Sequence, residues 1–275
     1  MLTGISSYTY GWNIGVEKAI PANAMNELDL VDYTIDFGLQ CLQIGDNLPV
    51  HTFNESRKAD LKQLLIKNQI RLELGARRLT AAHLQTYIEL CRFFNAPLLR
   101  FVIDGDDYKP DLIEVSAIIK DFLPELKKYN ITLGIENHDR FKAKQLADMM
   151  EAIGDDQVGI CLDCVNSIGA GEGLGHVTGI LASYTVNLHI KDFTISRLAH
   201  KMGFFVMGEI AGTGMTDLPL LLEKLEKYGR CQSAILEQWV PPEMNIEDTC
   251  RKEKHWAALG VAYVKSVLLK QKQSL

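Results

Sequence analysis

No run in this chain of 275 residues approaches the roughly 20 consecutive apolar residues that a membrane helix needs. The amino terminus, Met1-Leu2-Thr3-Gly4-Ile5-Ser6-Ser7-Tyr8, has no basic region followed by an apolar stretch. Positive charge is also in short supply. Lys and Arg total 29 against 35 Asp and Glu, the net charge is −6, and the basic residues are scattered. That balance excludes a general attraction to phosphate backbones or anionic lipid, so neither nucleic acid nor a membrane is expected as a partner, and a cytoplasmic location is. The six cysteines sit mostly inside apolar runs, which fits reduced thiols filling a core rather than a disulfide frame. Cys161 and Cys164 lack two further ligands at similar spacing, and opposite strand parity sends their sulfurs apart. Glycine-rich residues 169–175 lack the Gly-Lys-Ser/Thr ending of a P-loop and the offsets of a dinucleotide fingerprint, and read as a flexible loop.

What is present is a hydrophobic content of 47% with 23% charge, enough for one large α/β domain over residues 1–275. Eight strand-like runs fall near residues 2–6, 41–45, 70–75, 98–103, 131–136, 158–163, 186–191 and 233–237. Helical stretches separate them, with apolar residues recurring at three and four, as in Leu61, Leu64 and Leu65 or Leu218, Leu221, Leu222 and Leu225. Strict alternation predicts a parallel sheet, and eight units predict closure into a single (β/α)8 TIM barrel.

Glu136, Asp163, His189 and Glu237 each end one of these runs, the first three spaced by 27 and then 26 residues, about one strand plus one helix. Successive strand residues face opposite sides, and a barrel strand buries its outward face against helices. In 131–136 the branched residues take one parity and Glu136 the other; Val158, Ile160 and Leu162 alternate against Asp163, Val186, Leu188 and Ile190 against His189, and Ala234 and Leu236 against Glu237. All four candidates therefore point to the barrel axis at the strand ends, where barrel active sites form. Three carboxylates and an imidazole converging there would repel one another unless a cation intervened. One divalent ion is the expected cofactor: three oxygen donors and one nitrogen suit Mn²⁺ or Mg²⁺, with Zn²⁺ or Co²⁺ also compatible. The bland alternative makes each acid a helix cap, as Asp163 could be for the turn at Val165 and Asn166, and His189 a packed core residue.

Parity also turns Glu73 and Arg100 inward, either as an ion pair or as a grip on a substrate carboxylate or phosphate, with Arg77 and Arg78 following in the next loop. His138 shares the parity of Glu136, and Lys191 that of His189; both are candidates for substrate contact, with Asp192 expected to pair Lys191. Tyr8, Tyr10, Trp12 and Trp239 offer apolar walls for a sugar ring. Residues 193–215 exceed an ordinary connection and are expected to form a lid or substrate-gripping loop.

The segments 134–141 (Gly-Ile-Glu-Asn-His-Asp-Arg-Phe), 161–163 (Cys-Leu-Asp), 188–192 (Leu-His-Ile-Lys-Asp), 212–214 (Gly-Thr-Gly) and Leu236-Glu237 together resemble the xylose isomerase-like barrels of sugar isomerases and epimerases, over nearly the whole chain. The resemblance implies that Glu136, Asp163, His189 and Glu237 are metal ligands and that the two glutamates also transfer protons. It implies a small sugar, polyol or keto-sugar as substrate, with proton transfer next to a carbonyl giving isomerisation or epimerisation. Two positions depart from the ketose epimerases: Asn166 stands where they carry a histidine, and Lys142 where they carry an acid. Asn166 joins the substrate-binding candidates. A metal-dependent sugar lyase or dehydratase is the alternative on the same scaffold. An abasic-site endonuclease-like activity is disfavoured by the acidic charge and by only seven histidines, and a non-catalytic sugar-binding barrel by the two opposed glutamates. A homo-oligomer is compatible with all of these.

Overall fold

The computed structural model describes residues 1–274. Its strands, in chain order, are β1 (Leu2–Ser6), β2 (Cys41–Ile44), β3 (Arg71–Arg77), β4 (Leu98–Val102), β5 (Thr132–Glu136), β6 (Val158–Asp163), β7 (Thr185–Ile190), β8 (Asp192–Arg197), β9 (Phe204–Glu209) and β10 (Ser233–Leu236). Among the described residues, β1 to β7 and β10 pair in parallel and close on themselves in the order β1-β10-β7-β6-β5-β4-β3-β2. The barrel expected from alternation is what forms, and closure removes every edge from its sheet.

Local chemistry places the helices. Helix Ala81–Phe94 starts at Thr80, whose side-chain oxygen accepts the His83 N–H, and stops at Asn95, which takes a left-handed φ of 56°. Helix Leu112–Lys128 starts where Asp111 accepts the N–H groups of Ile113 and Glu114, and turns Val115, Ile119 and Leu126 inward. Helix faces of this kind around the barrel cover the outward strand residues, among them Leu99, Phe101, Leu133, Ile135, Ile160, Leu162 and Leu188, all fully buried. Burying a side chain of that size stabilises the fold by about 1.5–3 kcal/mol. Among the described residues no helix is long and apolar enough to cross a membrane.

Residues 193–215 are not an open loop. β8 and β9 pair antiparallel from Asp192 opposite Glu209 to Arg197 opposite Phe204, a hairpin standing over the mouth of the barrel. Its apolar alternation was hidden because a two-stranded ribbon has no single buried face, so Ile195, Phe204, Phe205, Val206 and Met207 are all partly exposed. Gly208 lets the ribbon meet the backbone beyond β10: a Cβ there would lie 1.8 Å from the Trp239 carbonyl oxygen.

Asp192 does not pair Lys191. Its Oδ2 accepts the N–H groups of Gly212 (2.9 Å) and Gly214 (3.0 Å), and its Oδ1 those of Phe193 and Thr216 (both 2.9 Å). A Cβ on Gly214 would sit 2.4 Å from that Oδ1, so only glycine permits the approach. Four backbone donors converging on one buried carboxylate form the strongest single clasp on the segment. Asp192→Ala is expected to cost about 3 kcal/mol, because buried N–H groups lose their acceptor; urea unfolding midpoints measure the difference.

Candidate metal centre

The four strand-end residues meet at the carboxyl-terminal mouth, and each is almost fully buried. Glu136, Asp163, His189 and Glu237 come from β5, β6, β7 and the residue after β10, neighbouring strands around the barrel. His189 Nδ1 lies 3.4 Å from Glu237 Oε2, 3.7 Å from Glu136 Oε2 and 3.8 Å from Asp163 Oδ2. Each of Asp163, His189 and Glu237 offers a ligand atom within 4.8 Å of the other two, as do Glu136, Cys161 and His189.

Two cations share this cluster. Lys191 Nζ lies 2.6 Å from Asp163 Oδ2 and 3.0 Å from Glu237 Oε2. Arg100, 3% exposed, sets Nε 2.6 Å from Glu136 Oε2 and Nη1 2.9 Å from Asp46 Oδ1. Burial drives Glu136 up to about 8 against the pull of Arg100. Burial also pushes on Glu237, but His189, Lys191 and Arg100 together bring it down to about 2. Burial holds His189 down to about 4, so the ring is neutral at ordinary pH.

The remaining oxygens are spoken for. Glu237 Oε1 accepts the Ser6 hydroxyl (2.9 Å), and Glu136 Oε1 accepts the Asn166 amide (2.7 Å). Asp163 divides its work: Oδ1 accepts the N–H groups of Val165 (2.8 Å) and Asn166 (3.0 Å), the capping foreseen as the bland alternative, while Oδ2 faces the cluster. His189 Nε2 is bonded to Gln43 Oε1 at 2.7 Å. Its Nδ1 is buried without a hydrogen-bond partner, although three carboxylate oxygens surround it. A lone pair aimed at anionic oxygens is repulsive unless a cation lies between them, so this donor set fits a divalent ion.

Beside the cluster lies a cavity of about 770 Å³, lined by Trp12, Trp239, Val206 and Met207 together with Tyr8 and Asp46, the partner of Arg100. The Trp12 ring N–H donates to the Val240 carbonyl (2.8 Å), and its backbone N–H to Glu253 Oε1 (2.9 Å), which holds that wall rigid. Trp239 has its ring 5.4 Å from Lys191 Nζ. His138, its side chain 36% exposed, lines a different cavity with Arg77 and Asp139, and its Nδ1 lies 3.5 Å from Asp139 Oδ2.

Glu73 and Arg100 both turn inward but do not meet. Arg100 is level with Gly75 in the β3–β4 register, further up the barrel than Glu73, so it reaches Glu136 and Asp46 instead. Glu73, fully buried, pairs with Arg71 at 3.0 Å. Asp46, Ser6 and Gln43 escaped the sequence reading. Gln43 carried a signal all the same: it is a lone polar residue between Leu42 and Ile44 in a strand otherwise apolar, with inward parity.

A family model described as xylose isomerase-like TIM barrel matches residues 31–258. A 3-oxo-isoapionate decarboxylase of Pectobacterium atrosepticum is 31% identical over 264 residues, covering 96% of this chain and 95% of that protein. D-psicose 3-epimerase from Clostridium cellulolyticum H10, solved with D-tagatose, superimposes with a TM-score of 0.72 at 13% identity, over 98% of this chain and 99% of that one. A xylose isomerase-like TIM barrel protein from Mycobacterium smegmatis in complex with magnesium gives 0.69 at 11% identity, over 95% and 97%.

Proposed function

From the premise that the chain belongs to the xylose isomerase-like TIM barrel family, we propose that it is a divalent-cation-dependent enzyme that decarboxylates a small 3-oxo sugar acid. The observation that carries the reading is the buried, unpartnered Nδ1 of His189 among three carboxylate oxygens. The 31% identity to a 3-oxo-isoapionate decarboxylase along almost the full length of both chains supports the choice of substrate.

A 3-oxo acid loses CO₂ readily because the electron pair of the breaking C–C bond passes to the neighbouring carbonyl. Glu136, Asp163, His189 and Glu237 are the residues that would hold the ion, which when bound supplies Lewis-acid polarisation of that carbonyl. Lys191 and Arg100 bring fixed positive charge to the place where negative charge develops, at no cost of reorganisation during the reaction. Trp12 and Trp239 give the cavity apolar walls. The carbon that loses CO₂ then needs one proton, and a glutamate at the cluster supplies it.

The positions of Glu136 and Glu237, three strands apart, favour a second reading. Two carboxylates on opposite sides of a substrate suit proton removal and return, hence isomerisation or epimerisation of a keto-sugar. One experiment separates the two. Enzyme loaded with Mn²⁺ or Mg²⁺ is incubated with 3-oxo-isoapionate and with ketoses in deuterated water. Release of CO₂ with one deuterium incorporated, abolished by EDTA and restored by the ion, is expected. Deuterium without CO₂ selects the second reading, and activity indifferent to EDTA overturns both.

A further inference from the structure

One layer below the cluster lies a chain of buried polar groups that metal binding does not by itself require. Gln43 is 1% exposed and Glu73 fully buried, and they sit directly opposite each other in the β2–β3 register. Gln43 Nε2 donates to Glu73 Oε2 and to Asn187 Oδ1, both at 3.1 Å. Asn187 is itself oriented, since its Nδ2 donates to Ser233 Oγ at 2.7 Å. Both Gln43 amide hydrogens are therefore consumed by acceptors, and its Oε1 must face His189. Turning the amide over would set its oxygen against a carboxylate and an amide oxygen at once, two repulsive contacts in a water-free interior.

With an oxygen 2.7 Å away, His189 Nε2 has to carry the ring proton, which leaves the lone pair on Nδ1. We propose that Gln43, held by Glu73, is a positioning residue that locks His189 in the tautomer able to ligate, so that Glu73 governs cation affinity without touching the ion. Glu73 then acts through Gln43 rather than on substrate. The inference rests on the cation-site reading above and adds a requirement two residues removed from the ion.

The test uses the full chain, with Mn²⁺ alone as probe. Wild type must bind Mn²⁺ by titration calorimetry; if it does not, the cation-site reading itself fails. Glu73→Leu and Gln43→Leu are expected to weaken Mn²⁺ binding about 10- to 100-fold, the usual effect of losing the partner that orients a ligand. In metal-free Glu73→Leu the nitrogen-15 shifts of His189 are expected to show the ring proton shared between Nε2 and Nδ1, because the Gln43 amide is no longer held by Glu73. A merely structural network would not move that signature. Independently of any variant, nitrogen-15 shifts of His189 in the metal-free wild type should report a protonated Nε2 and a bare Nδ1. A protonated Nδ1 there, or Mn²⁺ affinity unchanged in Glu73→Leu, overturns the proposal.

Discussion

Glu237→Gln is expected to lower turnover about 1,000-fold, the upper end of the loss when one group that stabilises developing charge is removed, while leaving the fold intact. The change removes one of three carboxylates around His189 Nδ1 and the anionic partner, 3.0 Å away, of Lys191 Nζ. An amide keeps the volume and can still accept the Ser6 hydroxyl that holds Oε1 at 2.9 Å, so packing is spared. Steady-state kinetics on the Mn²⁺-loaded enzyme, with circular dichroism as a check on folding, give the answer. A variant that turned over at the wild-type rate would remove Glu237 from the chemistry and, with it, the opposed-glutamate argument for proton return.

Arg100→Met carries the largest expected effect on stability. Arg100 lies between Asp46 and Glu136 at 2.9 and 2.6 Å. Removing one member of a buried charge set costs about 3–5 kcal/mol, because the groups left behind stay desolvated without their partner. For a chain of this size that corresponds to a melting temperature lower by about 10 °C. Asp46 has a second cation, with Arg77 Nε 2.8 Å from its Oδ2, so Glu136 bears most of the loss. Thermal unfolding of Arg100→Met and of Arg100→Met/Asp46→Asn separates the shares: if Glu136 dominates, neutralising Asp46 restores little. A drop of only a degree or two in the single variant would show that the pair adds nothing net.

The barrel and the meeting of its four strand-end residues were legible because both follow from local rules. Parity alone sends Glu136, Asp163, His189 and Glu237 to the axis, and periodicity alone marks most helices. Cross-barrel partners obey no local rule. The expected Glu73–Arg100 pair was a sound guess from parity, yet strand register sets Arg100 opposite Gly75 and hands it to Glu136. Asp192 is a similar case: adjacency pointed to Lys191, whereas the glycines of 212–214 bring unpaired N–H groups to it from more distant sequence. The β8–β9 hairpin was missed for a third reason, since a ribbon wet on both faces leaves no hydrophobic stripe to read.

Asp192 fastens the hairpin at its root, immediately after the residues that carry His189 and Lys191, and leaves its far end outside that clasp. The turn between Leu198 and Gly203 hangs beyond that knot, closed by backbone bonds from Leu198 N–H to the Gly203 oxygen at 3.0 Å and from Lys201 N–H to the Leu198 oxygen at 2.8 Å. The ribbon lines the cavity through Val206, Met207 and Gly208 and not through that tip, so insertions there are expected to leave the cavity walls in place.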